Sequence, residues 1–211
     1  MTIWVDMNIV AVVDYGMCNL DSVRRAIEES GGMAVVTDQA RDLETANRII
    51  LPGVGAFPEA MRNIKALSLD RVLYDQAIEE NIPLLGICLG MQLLASKGWE
   101  GEETNGLGLI PGEVRRLDPF GTDTRIPHVG WNEVHPMQES PLFRDIAPGK
   151  DFYFGHSYHF CPKKDAHIIA HTPYAGGFVS AVQSGSIFGV QFHPEKSQKA
   201  GFQLLKNFLA I

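Results

Sequence analysis

The sequence predicts an α/β protein built on an open, mostly parallel mixed sheet flanked by helices, with a β-rich second half. Three observations predict it. Short β-branched runs alternate with longer amphipathic stretches as far as Ala95, the rhythm of βαβ units on a parallel sheet. The run Ile82 to Ile87 is almost wholly apolar, as a central parallel strand covered on both faces must be. From Glu102 onward, strands separated by Gly and Pro turns replace that alternation.

Taken in order, Asn8 to Val13 reads as the first strand and Asp14-Tyr15-Gly16 turns the chain. Leu20, Val23, Ala26 and Ile27 then recur at helical spacing until Gly31-Gly32 stops the helix. Met33 to Thr37 is the second strand, and Arg48 to Leu51 is the third, running into Pro52-Gly53-Val54-Gly55. Ala60 to Lys65 and Leu69 to Glu80 read as helix, and Asn81 and Pro83 end that pattern. After the central strand Ile82 to Ile87, helical spacing resumes over Leu89 to Ala95. The second half offers strands at Gly112 to Leu117, Trp131 to His135, Asp151 to Tyr158, Ile168 to Thr172, Gly177 to Gln183 and Ile187 to Phe192. A helix over Gln198 to Leu209 closes the chain. No linker, repeat or low-complexity tract divides it, so residues 1–211 are expected to form one domain, with 1–7 as a short N-terminal extension.

Composition narrows the function. With 211 residues, 45% hydrophobic and 20% charged, the chain has enough apolar material for one sizeable core. Lys and Arg number 18 against 25 Asp and Glu, a formal charge of -7, the wrong sign for neutralising phosphate backbones. Nucleic acid is therefore not expected as a partner. Neither is a membrane, because the longest apolar runs fall far short of the roughly 20 residues that span a bilayer. Met1 to Met7 contains Asp6 and no basic residue, unlike a signal peptide. The three cysteines, Cys18, Cys88 and Cys161, show no CxxC and no metal-ligand spacing. That set suits a reducing, cytoplasmic compartment, without zinc or another cofactor.

The sharpest local signal is Gly86-Ile87-Cys88-Leu89-Gly90, where an apolar strand meets a helix. This is the pattern of a nucleophile elbow with sulfur in place of the hydroxyl. The tight turn brings backbone close on both sides, which demands small residues two before and two after the nucleophile. The positive end of the helix would favour thiolate. A buried core cysteine is the competing reading, and a base with an orienting acid elsewhere decides between them. The strand Ile187 to Phe192 leads into His193-Pro194-Glu195, where residues two apart in an extended segment face the same way. Glu195 can then hold one His193 ring nitrogen while the other faces the thiol. Pro52-Gly53-Val54-Gly55 and the Leu89 N–H offer peptide donors for a developing oxyanion.

These blocks, together with Pro83-Leu84-Leu85 before the elbow and Gly90-Met91-Gln92 after it, closely resemble the class I, triad-type glutamine amidotransferases over nearly the whole chain. Asp14-Tyr15-Gly16, His128-Val129-Gly130-Trp131-Asn132 and Lys196-Ser197-Gln198 are similar, within that family, to the glutaminase subunits of imidazole glycerol phosphate synthases. The resemblance implies a flavodoxin-like sheet, Cys88 as nucleophile, His193 as acid and base, and Glu195 as its orienter. It also implies an oxyanion hole from Gly53, Val54, Gly55 and Leu89, and glutamine held by Gly55, Gln92, Ser157 and Tyr158. L-Glutamine would be hydrolysed through a thioester to glutamate and ammonia. The ammonia would pass to a (β/α)₈ barrel cyclase subunit on a separate chain, making imidazole glycerol phosphate and aminoimidazole carboxamide ribotide in histidine biosynthesis. Asn19, Trp131, Lys196 and Gln198 are the implied interface residues. The chain departs from the family at Cys18, which stands where a glycine is usual; a positive φ there would strain it. Two rival readings are the same chemistry serving anthranilate or guanylate synthesis, and a non-catalytic flavodoxin-like module whose Cys88 senses oxidation.

Overall fold

The computed structural model describes residues 8–119 and 125–211. The expected extension over 1–7 lies outside them. In chain order the first half runs β1 (Ile9–Val13), α1 (Leu20–Glu29), β2 (Met33–Thr37), α2 (Ala40–Thr45), β3 (Arg48–Leu51), α3 (Phe57–Ala66), α4 (Leu69–Tyr74), β4 (Leu84–Ile87) and α5 (Leu89–Leu93). The second half runs β5 (Lys97–Gly98), β6 (Thr104–Asn105), β7 (Gly112–Arg116), β8 (His128–Pro136), β9 (Lys150–His156), β10 (Tyr158–Pro162), β11 (Ile168–Thr172), β12 (Phe178–Ser184), β13 (Ile187–Val190) and α6 (Gln198–Leu209). Among the described residues no helix is long and apolar enough to cross a membrane.

Nine strands form one sheet in the order β2-β1-β3-β4-β13-β12-β11-β8-β9. The pairings from β2 to β13 are parallel and those from β13 to β9 are antiparallel. The α/β class and the mixed sheet match expectation, but the antiparallel share is larger than "mostly parallel" allows. Connection length explains it: only Gly185-Ser186 join β12 to β13, and so short a link permits only an antiparallel return.

A second, four-stranded sheet has the order β10-β7-β5-β6. It corrects the expectation of one strand over Asp151 to Tyr158. The chain leaves the large sheet at His156, and Tyr158 begins β10 in the small one. Ser157 is the switch, its carbonyl accepting the Leu117 N–H at 2.9 Å. The expected helix Leu69 to Glu80 likewise divides into α4 and a wide π turn over Asp75–Glu79.

Alternation along the parallel strands sorts side chains into two cores. Ala11 and Val13 of β1 pack with Phe57, Met61 and Ile64 of α3 and Leu69 and Leu73 of α4. Val10 and Val12 face the other way, with Val23 and Ile27 of α1 and Leu204 and Phe208 of α6. Each fully buried side chain of this size contributes about 1.5–3 kcal/mol. The sheet is thus fixed rigidly between helices, and the carboxyl ends of β1, β3, β4 and β13 share one edge. Open α/β sheets bind ligands at that edge.

Candidate active site

Cys88 occupies the turn between β4 and α5 with φ 54 and ψ -108, a conformation costly for a residue with a Cβ. Its N–H donates to the Val190 carbonyl at 2.8 Å, and its own carbonyl accepts the Gln92 N–H at 3.3 Å. The glycines two before and two after are required by close approach. A Cβ on Gly86 would lie 2.6 Å from the Gly90 carbonyl oxygen, and one on Gly90 would collide with the Leu51 carbonyl of β3. The helix beyond has only five residues, so its dipole is weaker than the sequence suggested, and the positive partner of the thiol is a side chain.

That side chain is His193. Because β13 pairs with β4 in parallel, Ile87 opposite Val190, the chain beyond each strand emerges beside the other. His193 Nδ1 lies 2.8 Å from Glu195 Oε1, and both side chains are buried. The expected route to this contact is corrected: the strand ends at Val190, and Pro194–Lys196 form a 3₁₀ turn that folds Glu195 back under the imidazole. Burial opposes charge on the ring, but neighbouring Cys88 and Glu195 outweigh it and raise the His193 pKa to about 10. The array therefore favours the imidazolium form of His193.

Around it lies a cleft of about 410 Å³ lined by Val54, Gly55, Leu89, Gln92, Ser157 and Tyr158 among others. A larger hollow of about 740 Å³ between Pro136 and Pro148 has no Cys or His in its lining. Gln92 is buried and donates from Nε2 to the Tyr158 carbonyl at 2.9 Å and to Gln191 Oε1 at 3.1 Å. Gln191 Nε2 in turn lies 3.7 Å from Cys88 Sγ. Sequence reasoning missed Gln191 as a site residue, although its place two residues before His193 was the signal. It also missed Glu100, which lines the cleft while Oε2 accepts the Phe57 N–H at 2.8 Å.

Two of the expected oxyanion donors, Val54 and Leu89, are occupied. The Leu89 N–H donates to the Gly53 carbonyl at 3.3 Å, and the Val54 N–H donates to the Met17 carbonyl at 2.9 Å. The peptide joining Gly53 to Val54 thus turns its oxygen, not its N–H, toward the elbow. Cys18 does not have a positive φ, so the strain expected there is absent. Its Sγ lies 3.4 Å from the Pro52 carbonyl, which also accepts the Tyr15 hydroxyl at 2.8 Å.

The four expected interface residues are all exposed. Trp131 stands edge-on to Tyr153 at 6.0 Å, and Lys196 Nζ lies 5.7 Å from the same ring. Asn19 lies in the β1–α1 loop on the same sheet edge as Cys88, and Gln198 opens α6 with φ 50. Among the described residues no group of three or more His, Cys, Asp or Glu is placed to hold a metal.

Comparison with known proteins agrees with this geometry. Residues 11–211 match the family model "Glutamine amidotransferase class-I". A curated relative from Moorella thermoacetica, named imidazole glycerol phosphate synthase subunit HisH, is 46% identical over 96% of this chain and 94% of its own length. Relatives of that name from Nitrosococcus oceani and Pseudomonas putida are each 42% identical, over 96% and 97% of this chain and 97% and 98% of their own. Among solved structures, PurLQS from Thermotoga maritima superposes with a TM-score of 0.74 at 19% identity, covering 97% of this chain and 98% of that one. Another, titled a glutamine amidotransferase, has a TM-score of 0.74 at 16% identity, with coverages of 96% and 99%. At those identities the structures speak for the fold alone, whereas the family model and the curated relatives speak for descent. This chain belongs to the class I glutamine amidotransferase family.

Proposed function

We propose that this chain is the glutaminase subunit of an imidazole glycerol phosphate synthase, a single cytoplasmic domain acting with a separate (β/α)₈ barrel cyclase. The observation that carries the chemistry is the Cys88–His193–Glu195 array on a strained elbow. The names of the relatives support the pathway.

In this reading the Cys88 thiolate attacks the side-chain carboxamide of L-glutamine. The tetrahedral intermediate collapses as His193 gives its proton to the departing nitrogen, releasing ammonia and leaving a γ-glutamyl thioester. His193, now neutral, takes a proton from water, and the thioester is hydrolysed to glutamate. Glu195 keeps the imidazole in orientation and stabilises its charge. Rotating the peptide joining Gly53 to Val54 would free the Leu89 N–H and aim the Val54 N–H, beside Gly55, at the oxyanion. The resting arrangement keeps the hole closed, which explains how turnover can wait for a partner. Gln92, Ser157 and Tyr158 would hold the amino-acid end of glutamine, with Glu100 the cleft carboxylate suited to its ammonium.

The product ammonia would enter the cyclase across the rim of Asn19, Trp131, Lys196 and Gln198, and there supply the nitrogen of imidazole glycerol phosphate, with aminoimidazole carboxamide ribotide as co-product. A glutaminase assay with and without a cyclase subunit tests the reading. Strong stimulation by the cyclase is expected. Stimulation by an anthranilate synthase subunit and none by the cyclase would overturn the pathway; full activity in Cys88→Ala would overturn the chemistry.

A further inference from the structure

A buried polar chain crosses the antiparallel half of the sheet. His156 Nδ1 lies 2.8 Å from the Tyr158 carbonyl oxygen, which only accepts, so Nδ1 carries the proton and Nε2 is an acceptor. His156 Nε2 is 3.1 Å from His128 Nδ1, which must therefore be the donor. That leaves His128 Nε2 as an acceptor, and Asn132 Nδ2 lies 3.2 Å from it. One assignment satisfies all three contacts, with both rings neutral and every donor directed toward Tyr158. Burial supports it, pushing His128 down to about 4 and His156 down to about 3.

Both ends of the chain are informative. The Tyr158 carbonyl also accepts the Gln92 side chain at 2.9 Å, inside the cleft. At the other end, Asn132 sits on β8 next to Trp131 and near Val129, which are 47% and 61% exposed. His128 is clamped between Tyr174 at 3.8 Å and Phe154 at 4.7 Å, both stacked on its ring. The register sets His128 directly opposite His156 across β8 and β9. A core needing only bulk there would be filled by a third aromatic, without two rings whose tautomers must agree.

We propose that His128 and His156 are positioning residues that hold the Tyr158 carbonyl, and through it Gln92, so that the glutamine subsite is set from the β8 face by way of Asn132. The proposal rests on the glutaminase reading for its ligand, and on the hydrogen bonds alone for its geometry. Groups that hold the unreacting end of a substrate bind ground and transition states alike, so their loss raises KM and leaves kcat.

The test uses the full chain with its cyclase partner. His128→Phe preserves the stacking and removes the relay; we expect glutamine KM to rise about tenfold with kcat changed less than about twofold. His128→Asn, whose amide nitrogen replaces Nδ1, should restore KM to within about threefold of the parent. Asn132→Ala should raise KM less, and add nothing in combination with His128→Phe. Unchanged KM in a folded His128→Phe, or additive effects, would overturn the relay. Imidazole nitrogen NMR on the unvaried chain provides a readout independent of activity. Both rings should be in the Nδ1–H form from about pH 5.5 to 9, and an Nε2–H tautomer at either position would overturn it. An inactive parent complex would instead refute the glutaminase reading, with the NMR still testing the relay.

Discussion

His193 and His156 are both buried and both line the same cleft, yet they are driven to opposite charge states. His193 stands at the parallel half of the sheet, where Cys88 and Glu195 raise its pKa to about 10 against the effect of burial. His156 stands on the antiparallel half, where burial dominates and lowers its pKa to about 3, with only the Tyr158 carbonyl in opposition. Burial alone therefore does not set the charge of a histidine; what matters is whether an anion is buried with it. In the proposed mechanism one half of the cleft moves a proton, and the other holds fixed dipoles around the substrate.

The contrast can be broken from the catalytic side. Glu195→Gln leaves His193 a hydrogen-bonding neighbour but no charge, and should lower kcat by about 10²-fold or more with little change in KM. A change confined to KM would place Glu195 outside the proton path. Structurally, Gly90→Ala forces a methyl group into the Leu51 carbonyl and should cost roughly 3 kcal/mol in chemical denaturation. Gly155→Ala, on the antiparallel side with nothing within 4 Å, should change stability by less than about 0.5 kcal/mol. Equal costs would mean that the elbow is not close-packed.

The smallest effects sharpen the charge comparison. Replacing the sulfur in Cys88→Ser should bring the His193 pKa well below about 10, read by NMR titration, because burial then meets less opposition. For His128 and His156 the folded-state values lie below the ordinary 6.5, so the unfolded chain binds protons first as pH falls. Their contribution to stability is complete above about 6.5 and is lost as pH falls toward about 4 and then about 3. His128→Phe should lose less stability than the parent over that acid range, measured by urea denaturation at each pH.

How much of this was legible in the sequence follows the range of the interactions. The parallel strands and the elbow carry local signals, since Ile82 to Ile87 is apolar on both faces and Gly86 and Gly90 flank Cys88. The short α2, β5 and β6 were missed because two to six residues carry too little periodicity. The break at Ser157 was missed because only pairing partners distant in sequence, β8 and β7, distinguish β9 from β10. Likewise His193 and Glu195 could be paired from their spacing, whereas the His128–His156 contact depends on strand register across 28 residues. The occupied oxyanion donors depend on the orientation of a single peptide, which residue type does not specify.

In the proposed mechanism Cys88, one of three free cysteines, carries the acyl group. Acid quenching of the cyclase complex during turnover of glutamine, followed by peptide mass spectrometry, tests it most directly. A γ-glutamyl thioester is expected on the peptide containing Cys88, with Cys18 and Cys161 unmodified. Continued turnover with Cys88 unmodified, or an adduct on either of the other two, would contradict it.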